Sequence, residues 1–255
     1  MTSPVRIIID HNPNRLARQG AELFQHAAVA SVARSGFFTV ALSGGGSPRP
    51  MHRLLPAEPY RSGIPWHHTH LFWADERLVP ATDPASNFGG AGKDFLRLLA
   101  IPEGNIHPMV SPKAPAAAAE AYEQELRRYF TSIGSPAPVF DLILLGVGDD
   151  GHTASIFPGD AGAVATTRWV AAVRGGSPDV DRLTLTLPVI NQARQVVFLV
   201  TGSKKASVVR RLLAEASDRL PARRIHSQNG KVVWLLDEAA AALLPPDLPG
   251  CDRPA

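Results

Sequence analysis

The sequence predicts an α/β fold: a single Rossmann-like, doubly wound domain with a mostly parallel sheet flanked by helices. Three observations carry that expectation. Short apolar runs alternate with helix-period stretches along the chain, the pattern of a parallel sheet covered on both faces. The run at 141–145 presents no polar face, as suits a strand buried on both sides. Glycines and polar residues crowd immediately after several runs, where open α/β sheets bind their ligands.

Taken in order, residues 5–10 read as a first strand, and Asn12-Pro13 opens a helix reaching about Ser35. Within it Leu16, Leu23, Phe24, Ala27 and Ala28 recur near helical spacing. A second strand at 37–42 is broken by Ser43-Gly44-Gly45-Gly46-Ser47, and Pro48 leads a short helix at 51–55. A third strand at 69–74 ends in Asp75-Glu76-Arg77, and a Pro-, Asp- and Ser-rich loop at 80–86 precedes a helical stretch near 95–99. An Ala-rich helix at 114–130 leads into the central strand. Further strands are expected at 169–173, 183–187, 196–200 and 232–236, with helices at 204–215 and 238–244. No linker divides the chain, so residues 1–244 are expected to form one domain and 245–255 a loosely held, Pro-rich tail.

Bulk properties exclude several classes of function. An apolar fraction of 45% and a charged fraction of 19% are those of an ordinary globular protein. A net charge of +3 without like-charge blocks argues against a nucleic-acid partner. Arg127-Arg128, Arg210-Arg211 and Arg223-Arg224 read as solvated faces or helix ends. No run approaches the roughly 18 apolar residues of a membrane span, and the amino terminus lacks an apolar targeting core. The single cysteine, Cys251, cannot form an internal disulfide, which fits a reducing compartment. A cytoplasmic location is the expectation, and the oligomeric state stays open.

The chemistry is expected at the strand ends. Glycine-freed N–H groups in Ser43, Gly44, Gly45, Gly46 and Ser47, ahead of a helix, suit a phosphate. Without the Gly-Lys-Ser/Thr ending, the loop is not that of a nucleotide P-loop. Gly146, Gly148 and Gly151 satisfy a dinucleotide spacing, but Asp149 and Asp150 stand where a pyrophosphate would lie. The next strand, moreover, ends in Arg174 and not in an acid for a ribose hydroxyl. No nicotinamide cofactor is expected. What remains is Asp150-Gly151-His152, a histidine beside a carboxylate, which is the usual equipment for moving a proton near neutral pH. Asp75 is a candidate to position the histidine or a substrate hydroxyl, and Arg77 to bind an anion or polarise a carbonyl. In Thr201-Gly202-Ser203-Lys204-Lys205, lysines in a first helical turn oppose the dipole, which points to a ligand anion. His67, His68 and His70 lack a Cys or carboxylate at ligand spacing, so no metal site is expected. Ser43 and Ser155 are not in a GxSxG elbow, which argues against a serine nucleophile.

These motifs, in this order, resemble the 6-phosphogluconolactonase family. The matching blocks are LSGGGSP (42–48), WADERLVPATDPASNFG (73–89), DLILLGVGDDGHTASIFPG (141–159), RLTLTLPVIN (182–191) and TGSKKA (201–206). The resemblance implies a fold shared with glucosamine-6-phosphate deaminase and ribose-5-phosphate isomerase. It also implies hydrolysis of 6-phospho-D-glucono-1,5-lactone, a small sugar-phosphate substrate, with no metal or organic cofactor. By the same resemblance His152, with Asp150 beside it, matches the catalytic histidine, and Arg77 the arginine of the Asp-Glu-Arg signature. Gly44, Gly45 and Ser47 match the phosphate loop, and Arg182 and Lys205 the basic residues near the 6-phosphate. Two departures stand out: Gly46 and Ser47 replace a Ser-Thr pair, and 177–181 replaces the usual Pro and Lys ahead of Arg182.

Two rival readings are open to a test within the sequence. The related deaminases carry a glutamate five residues after the histidine, and an Asp-Glu-Tyr segment; here these positions hold Phe157 and Asp75-Glu76-Arg77. A sugar-phosphate sensor would normally accompany a helix-turn-helix, and the roughly 35 residues before the second strand are too few for one.

Overall fold

The structure, a computed structural model, describes residues 5–160, 163–164, 166–215, 219–228 and 230–252. Residues 1–4 of the expected domain and 253–255 of the expected tail lie outside the described residues. The chain runs β1 (Val5–Asp10), α1 (Pro13–Ser35), β2 (Phe38–Leu42), α2 (Arg49–His52), α3 (Tyr60–Gly63) and β3 (Thr69–Trp73). It continues through β4 (Asp75–Arg77), α4 (Asn87–Asp94), β5 (Ile106–His107), α5 (Pro115–Ser132) and β6 (Leu142–Leu145). Then follow β7 (Val170–Gly175), β8 (Val180–Leu185), α6 (Leu187–Ile190), β9 (Gln195–Val200), α7 (Ala206–Leu213), β10 (Lys231–Asp237), α8 (Glu238–Ala241) and β11 (Cys251–Asp252).

Eight strands form one sheet in the order β11-β1-β10-β9-β6-β2-β3-β5. Every pairing in it is parallel. All its strands therefore point their carboxyl ends to one edge. The adjacent quartet β9, β6, β2 and β3 sits in the middle, and β2 and β6 are buried at every residue. The first helix shows why the local sequence folds as it does. Asn12 caps it by accepting from the N–H groups of Asn14 and Arg15, Pro13 sets its first turn, and Gly36 closes it in the left-handed region at φ +83°. Its Leu16, Phe24 and Ala28 pack into the core. Truncating a core aromatic such as Phe24 to Ala would cost about 3–5 kcal/mol.

Several expectations need correction. The strands expected at 169–173 and 183–187 do not join the parallel sheet. As β7 and β8 they pair antiparallel with each other, and with β4, in a separate sheet of order β4-β8-β7. The reason is the short connection at 176–179: a hairpin fits there, while a parallel crossover needs a dozen or more residues. Asp75-Glu76-Arg77, expected as the end of the third strand, is a separate short strand, β4. The helix expected near 95–99 lies earlier, at α4, and 96–98 is a single tight turn. Ser86 caps α4 by accepting from Gly89 N–H, and Glu76 accepts from the N–H groups of Asn87 and Phe88 at its start. The helix expected at 51–55 is the single turn α2, and the one at 204–215 begins as a tight turn over Ser203–Lys205 before α7. The last helix stops at Ala241. The tail is not loose as far as it is described: β11 adds a strand to β1 at the sheet edge, with Ile7 opposite Cys251. Among the described residues no helix is long and apolar enough to cross a membrane.

Candidate active site

The four central strands and the small sheet deliver their ends to one cleft of about 310 Å³. Ser43–Ser47 arrives from β2, Asp75 from β3, Gly146–His152 from β6, Lys205 from β9, and Arg77 and Arg182 from β4 and β8. Each of these groups supplies side chains or backbone to the cleft wall. All the site residues expected from the sequence line it except Asp150, which stands behind His152.

The turn after β6 is built to present an imidazole. Gly148 N–H donates to the His152 carbonyl at 2.9 Å and Gly151 N–H to the Gly148 carbonyl at 3.0 Å, closing the turn on itself. Gly151 sits at φ +87°, a conformation that favours glycine. At Gly148 a Cβ would lie 2.1 Å from His152 Nδ1, so the ring packs directly on the glycine backbone. Asp150 Oδ1 accepts from His152 N–H at 3.0 Å and lies 2.6 Å from His152 Nδ1. That contact fixes the ring and leaves Nε2 as the nitrogen available to a ligand. Burial pushes the Asp150 carboxyl up, but hydrogen bonds from His152 and the charge of its ring outweigh burial and hold it below the ordinary carboxylate value. Phe157 lies against the imidazole, with ring centroids 4.9 Å apart.

Asp75 does not reach the histidine as expected. Its Oδ2 accepts from Ser155 Oγ at 2.6 Å and its carbonyl from Asn87 Nδ2 at 2.8 Å, both within the buried interior. Asp75 thereby ties the segment following His152 to β4. Glu76 is fully buried and accepts from the N–H groups of Arg77, Asn87 and Phe88 and from Ser86 Oγ. Burial pushes its carboxyl up despite those donors. Asn87, held by this arrangement, also abuts the glycine loop: a Cβ on Gly44 would lie 1.8 Å from its Oδ1. Sequence reasoning missed Asn87 and Ser155. Their role depends on contacts across 12 and 80 residues, which no local pattern announces.

Arg77 and Arg182 are direct cross-strand partners. Like charges facing each other across a ladder are unfavourable, and among the described residues neither guanidinium has a carboxylate at ion-pair distance. Arg182 is buried; burial, and then the charge of Arg77, push its guanidinium down. Its Nε and Nη2 donate to the carbonyls of Gly175 and Pro178 at 2.7 and 3.1 Å, and its guanidinium carbon lies 5.8 Å from the Phe157 ring. Arg77 Nη1 donates to the Ala85 carbonyl, while its Nε has no partner. Two arginines without ion-pair partners among the described residues, side by side in one wall, are an arrangement that can receive an anion.

The glycine loop contributes its backbone more than its helix. With α2 only one turn long, little macrodipole stands behind the loop. Gly45 is in the left-handed region at φ +93°. Ser43 Oγ is buried without a partner. Ser47 Oγ is already engaged, 3.0 Å from Thr201 Oγ1 and accepting from Thr201 N–H at 3.2 Å, so it fastens the loop to the end of β9. Lys205 Nζ projects into the cleft and meets Asp149 Oδ1 at 2.6 Å.

A polar cleft with one oriented imidazole, an anion-binding wall and a backbone cradle suits proton transfer on a small phosphorylated substrate. Comparison with known proteins gives the family. The family described as glucosamine-6-phosphate isomerases/6-phosphogluconolactonase matches residues 11–234. A 6-phosphogluconolactonase of Synechocystis is 42% identical over 219 residues, covering 85% of this chain and 88% of the relative. One of Rattus norvegicus is 38% identical over 246 residues, covering 95% of each. Among solved structures, 6-phosphogluconolactonase from Trypanosoma cruzi superposes with a TM-score of 0.82 at 32% identity, covering 96% of this chain and 98% of the other.

Proposed function

Because the chain belongs to the family of glucosamine-6-phosphate isomerases and 6-phosphogluconolactonases, and is a lactone hydrolase, we propose how its cleft performs the reaction. The substrate is 6-phospho-D-glucono-1,5-lactone and the product 6-phospho-D-gluconate, a step of the oxidative pentose phosphate pathway. The observation that carries the mechanism is the 2.6 Å contact between His152 Nδ1 and Asp150 Oδ1, at a histidine that lines the cleft.

Water adds to the lactone carbonyl carbon as His152 Nε2 takes its proton. Asp150 holds the ring by Nδ1 and stabilises the imidazolium that forms. The carbonyl oxygen becomes an oxyanion, for which Arg77 and the loop N–H groups are the donors at hand. As the tetrahedral intermediate collapses, the bond to the ring oxygen breaks and the imidazolium returns the proton to that oxygen. No group remains on the enzyme. The phosphate is held by Arg182, Lys205 and the Ser43–Ser47 backbone. Binding energy far from the reacting carbon thereby keeps the carbonyl in reach of His152. Phe157 seals one side of the imidazole with a hydrocarbon face, where the deaminase pattern would need a carboxylate.

The test is a lactonase assay corrected for spontaneous hydrolysis, run on the wild type and His152→Ala. Wild-type turnover that collapses in the variant is the expected result. Hydrolysis no faster than buffer would overturn the substrate, and full activity in His152→Ala would overturn the base.

A further inference from the structure

Consecutive carboxylates of one turn each hold a functional side chain. Asp150 holds the imidazole of His152, whereas Asp149 holds the ammonium of Lys205 at 2.6 Å. The first contact has a role in proton transfer; the second has none in the reaction as derived, and it puts a negative charge in a wall that must receive a phosphate.

Resting on the phosphate reading of the cleft, we propose that Asp149 is the built-in counter-anion of the phosphate subsite. It occupies Lys205 in the empty cleft and is displaced when a phosphoryl group enters. Four observations carry this. Asp149 and Lys205 both line the cleft. Lys205 is largely covered, with 24% of its side chain exposed, so its ammonium lies within the wall and is not simply solvated. Asp149 is 69% exposed, free to swing into water once released. Finally, Lys205 is the one cation of this wall with such a partner among the described residues. Arg77 and Arg182 have no carboxylate at ion-pair distance, and they are anchored to backbone carbonyls.

The energetics favour exchange. An ion pair with one exposed partner is worth little in water, because screening and side-chain entropy offset most of its Coulomb energy. A phosphoryl dianion facing Lys205 together with Arg182 and loop N–H groups makes several charge-assisted bonds at once. The latch therefore yields to a phosphorylated sugar, but it weakens the hold on any single anion by the free energy needed to open it. The consequence is discrimination. A free phosphate ion must open the latch with no help from sugar contacts, whereas the substrate adds them, so Asp149 sets how strongly abundant inorganic phosphate competes.

The experiment is a double-mutant cycle on the full chain with Asp149→Asn, Lys205→Met and the two combined. Binding of inorganic phosphate is read by titration calorimetry, which needs no turnover, and by its competitive inhibition of lactone hydrolysis. Asp149→Asn is expected to tighten phosphate about two- to fivefold, the range set by an exposed ion pair. That gain is expected to vanish in the Lys205→Met background. An undiminished gain without Lys205 would mean simple repulsion and overturn the latch. Weaker phosphate binding in Asp149→Asn would overturn it too, showing that the carboxylate positions Lys205 for the ligand. If the wild type neither binds phosphate nor hydrolyses the lactone, the failure lies in the underlying reading of the cleft; binding and hydrolysis without coupling between the two residues sink only the latch.

Discussion

Among the described residues two histidine–carboxylate pairs are made at nearly the same distance, and one of them lines the cleft. His152 Nδ1 lies 2.6 Å from Asp150, and His107 Nδ1 lies 2.9 Å from Glu125. The difference is at the second ring nitrogen. His107 Nε2 is taken up by His70 Nδ1 at 3.3 Å, and its ring is stacked on Phe72 with centroids 4.2 Å apart. The other ring stands on the backbone of Gly148, in the lining of the cleft. A carboxylate orients an imidazole in either case. In the proposed mechanism, what makes one of them a base is an unused nitrogen, a cleft to receive a substrate, and cations nearby to hold one.

The largest effects separate the two pairs. His152→Ala should lower background-corrected kcat by about 10²–10⁴-fold, the range of a positioned acid–base group, with an unchanged urea midpoint. His107→Ala should do the reverse: kcat retained, and about 2–4 kcal/mol of stability lost as the stack with Phe72 and Tyr129 opens. If His107→Ala abolished turnover in a folded protein, the distinction drawn from the second nitrogen would be wrong. At the carboxylates the contrast is smaller. Asp150→Asn should reduce kcat about 10- to 100-fold with little change in KM, since it disturbs the orientation and tautomer of the ring and not the phosphate wall. Glu125→Gln should leave kcat untouched and shift stability by under about 1 kcal/mol, because Glu125 is 37% exposed.

The two pairs were not equally legible. His152 stood out in the sequence because a buried run, glycines and an acid two residues earlier fall within one short stretch. The 2.6 Å contact to Asp150 is itself local, made across two residues. The other pair joins positions 18 apart, and its third member, His70, comes from a strand 37 residues away. In the sequence His70 reads only as part of a histidine cluster. The same physics divides the rest of the fold. The parallel core was legible from runs such as 142–145, because burial on both faces leaves no polar residue in a strand. In the sequence the small sheet reads like the large one because Leu183, Leu185 and Leu187 alternate with threonines, a strand pattern that fits either sheet. Length and apolarity cannot tell a hairpin from a crossover; the nine residues between the expected strands, short of the dozen a crossover needs, could have. Asp75 lines the cleft, but it bonds to Ser155 and not to the histidine. Ser155 lies 80 residues on, and only the antiparallel contact of β4 with β8 brings it near.

A last prediction tests the structural pair through pH. Burial, and then the charge of His107, lower the pKa of His70 from 6.5 to about 4. A base whose folded pKa is depressed favours the neutral form in the fold. Its contribution to stability is therefore complete above the unfolded value near 6.5, and is lost progressively as pH falls from there to about 4, where the folded state also takes up the proton. His52 follows the same direction, as its burial in the core likewise lowers it to about 4. The two are separated by substitution. His70→Phe keeps an aromatic body against Tyr129 and removes the titration, so the loss of stability between pH 6.5 and 4 should shrink by about 1–2 kcal/mol once the partial exposure of the ring is allowed for. Urea unfolding at half-unit pH steps reads the change, and kcat at neutral pH should stay at the wild-type value. An acid limb as steep in His70→Phe as in the wild type would mean that other groups, His52 and the carboxylates of lowered pKa among them, carry it, and that the second histidine pair is inert to protons as well as to substrate.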